Sequence, residues 1–141
     1  MDHVVYVDAK EKELEKILIG VKRMIIRGAA GRKMPYGRVQ QGDALYLINN
    51  DGSGLIQAMA EVSRVIQSDK LSKAESTEFV MGFQEQLQLT KNQFNRWAGK
   101  RYIVLVEIGP AKELAPFRID RSNFGNMDDW LMIGNIEDVR I

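Results

Sequence analysis

The chain has 141 residues, 45% of them hydrophobic and 28% charged, with 12 glycines and 3 prolines. That balance predicts a single folded domain spanning residues 1–141 and excludes a disordered or collagen-like chain. The absence of cysteine excludes disulfides, thiolate zinc sites and cysteine nucleophiles, and no apolar run reaches the roughly 18 residues that a membrane helix needs.

Met1-Asp2-His3-Val4 lacks the basic and apolar regions of a secretory signal, so a soluble, cytoplasmic protein is expected. Val4-Val5-Tyr6-Val7 reads as a short strand from its β-branched and aromatic content. Asp8 is expected to cap a helix running to Lys16 or Leu18, with Leu14, Ile17 and Leu18 on one face and Gly20 as the stop. A strand follows from Val21 to Arg27, placing Lys22, Met24 and Ile26 on one face and Ile25 and Arg27 on the other. Gly28 to Gly37 is rich in glycine and predicts an exposed loop.

Gln41-Gly42-Asp43 reads as a turn into an apolar strand over Ala44 to Ile48. The turn signal Asn50-Asp51-Gly52-Ser53-Gly54 then joins it to a second strand over Leu55 to Val65, as a hairpin. Ser72 and Glu75 have capping-box spacing, and Thr90 and Gln93 repeat it. Between them Phe79, Phe83 and Leu87 recur every four residues, and Gly99 is expected to end the second helix. Residues about 70–99 thus form a helical insertion. Tyr102 to Ile108 is a nearly continuous apolar strand that stops before Pro110, and a closing strand is expected near Val139 to Ile141. Five or six strands with two or three helices predict an α+β domain, a small mixed β-barrel with flanking helices.

The net charge of +1 conceals an uneven distribution. Lys22, Arg23, Arg27, Arg32, Lys33 and Arg38 fall within residues 22–38, which contain no acid. Concentrated positive charge is the footprint of phosphate binding. The alternative is a solvated loop whose charges pair with acids elsewhere. Arginine offers a phosphate a planar fork of donors and lysine a compact charge, so these six residues are the candidate nucleic-acid contacts. Tyr36, in the same loop, is a candidate for stacking on an unpaired base or for packing on the barrel.

The order helix, Gly20-Val21-Lys22, Arg27, then Val39-Gln40-Gln41-Gly42-Asp43-Ala44-Leu45-Tyr46 and Ala60-Glu61-Val62-Ser63-Arg64-Val65 resembles the ASCH domain of the PUA-like superfamily. The likeness covers roughly residues 10–66. It implies a PUA-like barrel with a cleft beside the strand of Lys22 and Arg27, and ligands that are RNA or nucleotide-derived. Some members of that family are amidohydrolases that use a Lys, a Thr and a Glu together. Lys22 matches the first of these and Glu61 is a candidate for the third. Ile25 stands where the family has Thr or Glu, which removes the hydroxyl that such hydrolysis uses.

Two further readings follow. In a small amidohydrolase acting on a modified nucleoside, Lys22 and Glu61 would be catalytic. A protein-interaction domain would instead present its basic loop to an acidic partner. His3, the only histidine, lies at the terminus, so neither a metal nor another cofactor is expected. Asp128 and Asp129 read as caps of a turn or helix before Trp130, with magnesium binding by adjacent carboxylates as the alternative. Trp97 and Trp130 read as core residues, with a base-stacking platform as the alternative.

Overall fold

A computed structural model describes residues 1–141. Seven strands and four helices follow in the order β1 (Asp2–Val7), α1 (Glu13–Leu18), β2 (Met24–Ala29), β3 (Ala44–Asn49), β4 (Ile56–Gln67), α2 (Lys73–Met81), α3 (Gln84–Leu87), α4 (Lys91–Trp97), β5 (Tyr102–Ile108), β6 (Lys112–Phe117) and β7 (Trp130–Gly134). A short 3₁₀ turn at Ile136–Asp138 completes the chain. The strands make one curled sheet in the order β2-β5-β4-β3-β1-β7, with β6 paired to β4 off that path. The β1–β3 pair is parallel and the β3–β4 hairpin antiparallel. The domain is α+β, a small curled barrel-like sheet with helices at its side.

The long strand β4 explains the curl. Its first half pairs with β3 and β6, and its second half pairs with β5 after a register shift between Val62 and Arg64. A bulge of this kind bends a strand and increases its local twist. The concave face is filled by Val5, Val7, Ile25, Leu45, Val104 and Val106, among others, and is closed at one side by Leu14 and Ile17 of α1. Alternate residues point outward. Met24, Ile26, Ile103 and Leu105 meet Val80 and Leu87 of the helices between β4 and β5. Because β2 and β5 are covered on both faces, they read as almost unbroken apolar runs.

Several elements differ from expectation. α1 begins at Glu13 because Asp8 closes a tight turn instead of capping: Glu11 N donates to Asp8 Oδ1 at 3.2 Å, and Glu13 Oε1 accepts from Asp8 N at 2.8 Å. Lys12, at φ 55°, then precedes the helix. Its other end is as read, with Gly20 at φ 84° and the paired Gly20-to-Ile17 and Val21-to-Lys16 hydrogen bonds of a Schellman close. β2 starts at Met24, after Lys22. The Phe79-Phe83-Leu87 repeat spans two helices, since α2 is capped by Gly82 and α3 starts afresh at Gln84. β6 has no counterpart in the sequence reading. The strand that closes the sheet is β7, not residues 139–141, which contribute only a single bridge between Arg140 and Ile119.

Candidate functional site

The left-handed glycine that ends α1 turns the chain so that Lys22 points inward just before β2. Its side chain is 1% exposed, and its Nζ lies 3.3 Å from Glu13 Oε2 and donates to the carbonyl of Leu87. Burial lowers the ammonium below its ordinary 10.5, and the Glu13 carboxylate pulls the other way. Glu61, expected beside Lys22, is exposed on β4 opposite Ala44. The two do not meet, because α1 already supplies a carboxylate from directly below. Ile25, at 0% exposure, packs in the barrel core against Val106, so the position of the family's hydroxyl is apolar core here.

Arg27, near the end of β2, is the pivot of the site. Its Nη1 donates to the Ile26 carbonyl at 2.8 Å and its Nη2 to the Tyr6 carbonyl at 2.6 Å. The guanidinium carbon lies 5.6 Å from the Trp97 ring centre and 5.5 Å from that of Trp130, within the range of a cation–π contact. Nε stands 3.3 Å from Asp129 Oδ2 and is buried without a hydrogen bond. Both terminal nitrogens are thus taken by backbone carbonyls, so Arg27 contributes a fixed positive charge rather than a free fork.

On one side of Arg27 lies a cleft of about 240 Å³ with Lys33, Arg96 and Lys100 around it and Tyr36, Trp97 and Tyr102 in its wall. Asp129 is its only acid. Gly28 allows a close approach on this wall: a Cβ there would stand 2.9 Å from Ile103 Cδ1 and 3.1 Å from Lys100 Cβ, so those side chains would have to shift. Tyr36 packs on the barrel, its hydroxyl donating to the Ser68 carbonyl at 2.7 Å, while its ring faces Tyr102 edge-on at 5.8 Å. The exposed Arg32 lies 5.6 Å from both ring centres.

On the other side of Arg27 is a second cavity of about 160 Å³, which shares Arg27, Arg96, Trp97 and Asp129 with the first. Asp8, Glu13, Gln93, Arg121 and Asp128 add to its wall. No group of three or more His, Asp or Glu side chains is placed to hold a metal ion.

The basic segment therefore divides. Arg27 and Lys33 reach the cleft, Arg32 covers the tyrosines at its edge, and Lys22 is buried behind Glu13. Arg23 and Arg38 are exposed and line neither half. Sequence reasoning missed Arg96, Lys100, Tyr102 and the pairing role of Asp129. A signal for the first two exists, since residues 91–101 hold four cations and no acid. The pairing of Ala29 with Tyr102 in β2–β5 brings this second stretch beside the first.

Trp130 joins the site to a buried relay. Its Nε1 donates to His3 Nδ1 at 3.1 Å, and His3 Nε2 lies 2.8 Å from Asp43 Oδ2. Indole is only a donor, so His3 Nδ1 accepts and Nε2–H donates to Asp43. The lone histidine, at 0% exposure, is a structural linker that holds Trp130 against Arg27.

No protein-family model and no curated protein matches the sequence. Among solved structures, the ASCH protein of Zymomonas mobilis superposes with a TM-score of 0.71 at 13% identity, covering 97% of this chain and 90% of that one. Its tyrosine-to-phenylalanine and serine-to-alanine variants superpose equally well, at the same score and identity and over 93% and 91% of their lengths. With near-complete coverage of both chains, the curled sheet, its flanking helices and their order are those of an ASCH fold.

Proposed function

We propose that this domain binds RNA or a nucleotide-containing ligand, with the phosphate in the cleft beside Arg27. The observation that carries this reading is the convergence of Arg27, Lys33, Arg96 and Lys100 on one cavity holding a single carboxylate. Uncompensated cations around a concave wall attract a polyanion, and phosphate contacts supply most of the affinity of nucleic-acid binding. Lys33, Arg96 and Lys100 are exposed at the mouth, where they can reach phosphate oxygens. Arg27 supports them from the floor as an immobile charge. Arg32 lies over Tyr36 and Tyr102 at the edge of the cleft, and an unpaired base can stack on its exposed guanidinium plane, which suits a single-stranded segment over a duplex. The likeness to the ASCH fold supports the same reading, since the sequence resemblance implies RNA or nucleotide-derived ligands.

The amidohydrolase reading draws no support from the geometry. Glu61 is away from Lys22, position 25 offers no hydroxyl, and the Lys22 ammonium is held by Glu13 and a backbone carbonyl. The interaction-domain reading has Arg32, Lys33 and Arg38 exposed on the loop for an acidic partner, but Lys33 also lines the cleft, which favours the phosphate reading.

Fluorescence anisotropy with a labelled oligouridylate at low salt tests the proposal. Arg96→Ala and Lys100→Ala should each weaken binding by about tenfold, the effect of losing one charge-assisted contact. Arg23→Ala and Arg38→Ala, outside the cleft, should change it by less than about twofold. Equal losses from all four variants would refute a cleft-based site, and undetectable binding by the unmodified protein would refute the function.

A further inference from the structure

The cavity on the far side of Arg27 differs in chemistry from the cationic cleft. Its wall holds four carboxylates, Asp8, Glu13, Asp128 and Asp129, against the three guanidiniums of Arg27, Arg96 and Arg121. Lys22, paired with Glu13 from behind, brings the count to four of each sign. A wall so balanced favours neither an anion nor a cation. It favours a neutral group able to exchange many hydrogen bonds.

The free hydrogen-bonding atoms define that group. Three of the carboxylates use one oxygen within the chain and leave the other without a protein partner. Asp8 Oδ1 accepts from Glu11 N, Asp128 Oδ2 accepts from Gly125 N at 3.2 Å, and Asp129 Oδ2 faces Arg27. Gln93 is 5% exposed, and its Oε1 is committed to Thr90 N at 3.1 Å in the cap of α4. Its Nε2 has no partner in the chain, although the side chain borders the cavity. On a side chain this buried, an amide donor left without a protein partner is free to donate to a ligand or water at the cavity it borders. Arg27 Nε, buried on the same wall, is turned to Asp129 Oδ2 at 3.3 Å and is not open to a ligand. The cavity is thus lined by three carboxylates with a free oxygen each and by one amide donor without a protein partner.

A hydroxyl donates and accepts at once, and a pair of neighbouring hydroxyls fits this mixture directly. A flat base is less suitable because both aromatic rings here are already covered. Arg121 lies 5.3 Å over the Tyr6 ring, and Trp97 carries Arg96 at 4.5 Å and Arg27 at 5.6 Å. The two cavities share Arg27, Arg96, Trp97 and Asp129 and so adjoin, which puts neighbouring groups of one ligand within reach of both. We infer that the second cavity is a ribose-reading subsite, which receives the sugar hydroxyls of the nucleotide whose phosphate lies in the cationic cleft. This rests on the phosphate-binding reading above and sharpens it from RNA or any nucleotide-containing ligand to a ligand that carries ribose.

The test compares fluorescein-labelled tetrauridylate with tetra-2′-deoxyuridylate, which differ only in the 2′-hydroxyls. The unmodified protein should bind the ribose form more tightly by about tenfold, the return on one or two well-made hydrogen bonds. Asp128→Asn replaces the free acceptor with a donor, and Gln93→Glu keeps the helix cap while replacing the free donor with an acceptor. In each variant the ratio of the two affinities should fall below about threefold. Because the readout is a ratio, a general change in charge or stability cancels.

Equal affinity of the unmodified protein for both probes overturns the subsite and leaves the phosphate reading standing. A ribose preference that survives both substitutions places the sugar elsewhere and also overturns it. If neither probe binds at low salt, the underlying reading fails first.

Discussion

An ammonium taken out of water costs several kcal/mol unless a partner and hydrogen bonds compensate it. Lys22 has both, in Glu13 and the Leu87 carbonyl, yet burial still holds it below its ordinary 10.5. Lys22→Met should cost about 3–5 kcal/mol at neutral pH, since it leaves the Glu13 carboxylate without its partner. The pH dependence has a definite sign. Between the folded value and 10.5 the unfolded chain binds the Lys22 proton and the folded chain does not, so stability rises with pH. The burial penalty is complete below the folded value and gone above 10.5. Denaturant unfolding of both proteins, compared between neutral pH and 10.5, should show the gap widening in favour of the unmodified chain as pH rises. A gap that stays constant or narrows contradicts this account of Lys22.

The elements differ in how locally they are encoded. Both capping boxes were legible because all their atoms lie within four consecutive residues: Ser72 Oγ accepts from Glu75 N at 3.1 Å, and Thr90 Oγ1 accepts from Gln93 N at 3.2 Å. The apolar strands β1, β3 and β5 were legible for a related reason, since burial on both faces leaves few polar interruptions. β6 was not, because Lys112, Glu113, Ala115 and Pro116 are exposed and only pairing with β4 makes the segment a strand. β7 likewise owes its place to antiparallel pairing with β1. The two caps give a prediction that separates stability from function. Ser72→Ala and Thr90→Ala should each cost about 0.5–2 kcal/mol, measured by thermal or denaturant unfolding. Only Thr90→Ala should also weaken oligouridylate binding, because α4 carries Arg96 and Trp97 whereas α2 adds no residue to the cleft. Parallel losses of affinity in both variants would contradict that assignment.

Across the whole molecule the net charge of +1 gives no sign of a polyanion site, which arises from where the charges are brought together. Half of the cleft was visible as the run from Lys22 to Arg38. The other half, Arg96 and Lys100, lies far along the chain and joins the first only because β2 and β5 are neighbours in the sheet. Lys22, Arg23 and Arg38 were counted with the site because composition cannot distinguish a buried or outward-facing cation from one at a cleft. No helix is long and apolar enough to cross a membrane.

The most direct test of the central claim is the salt dependence of oligouridylate affinity, measured for the unmodified protein and for a Lys33→Ala, Lys100→Ala double variant. Each phosphate contact on a single strand contributes about 0.7 to the slope of log affinity against log salt. The double variant should therefore lose about 1.4 from that slope, along with most of its low-salt affinity. An unchanged slope would mean that these two lysines contact no phosphate, and the cleft would not be the site.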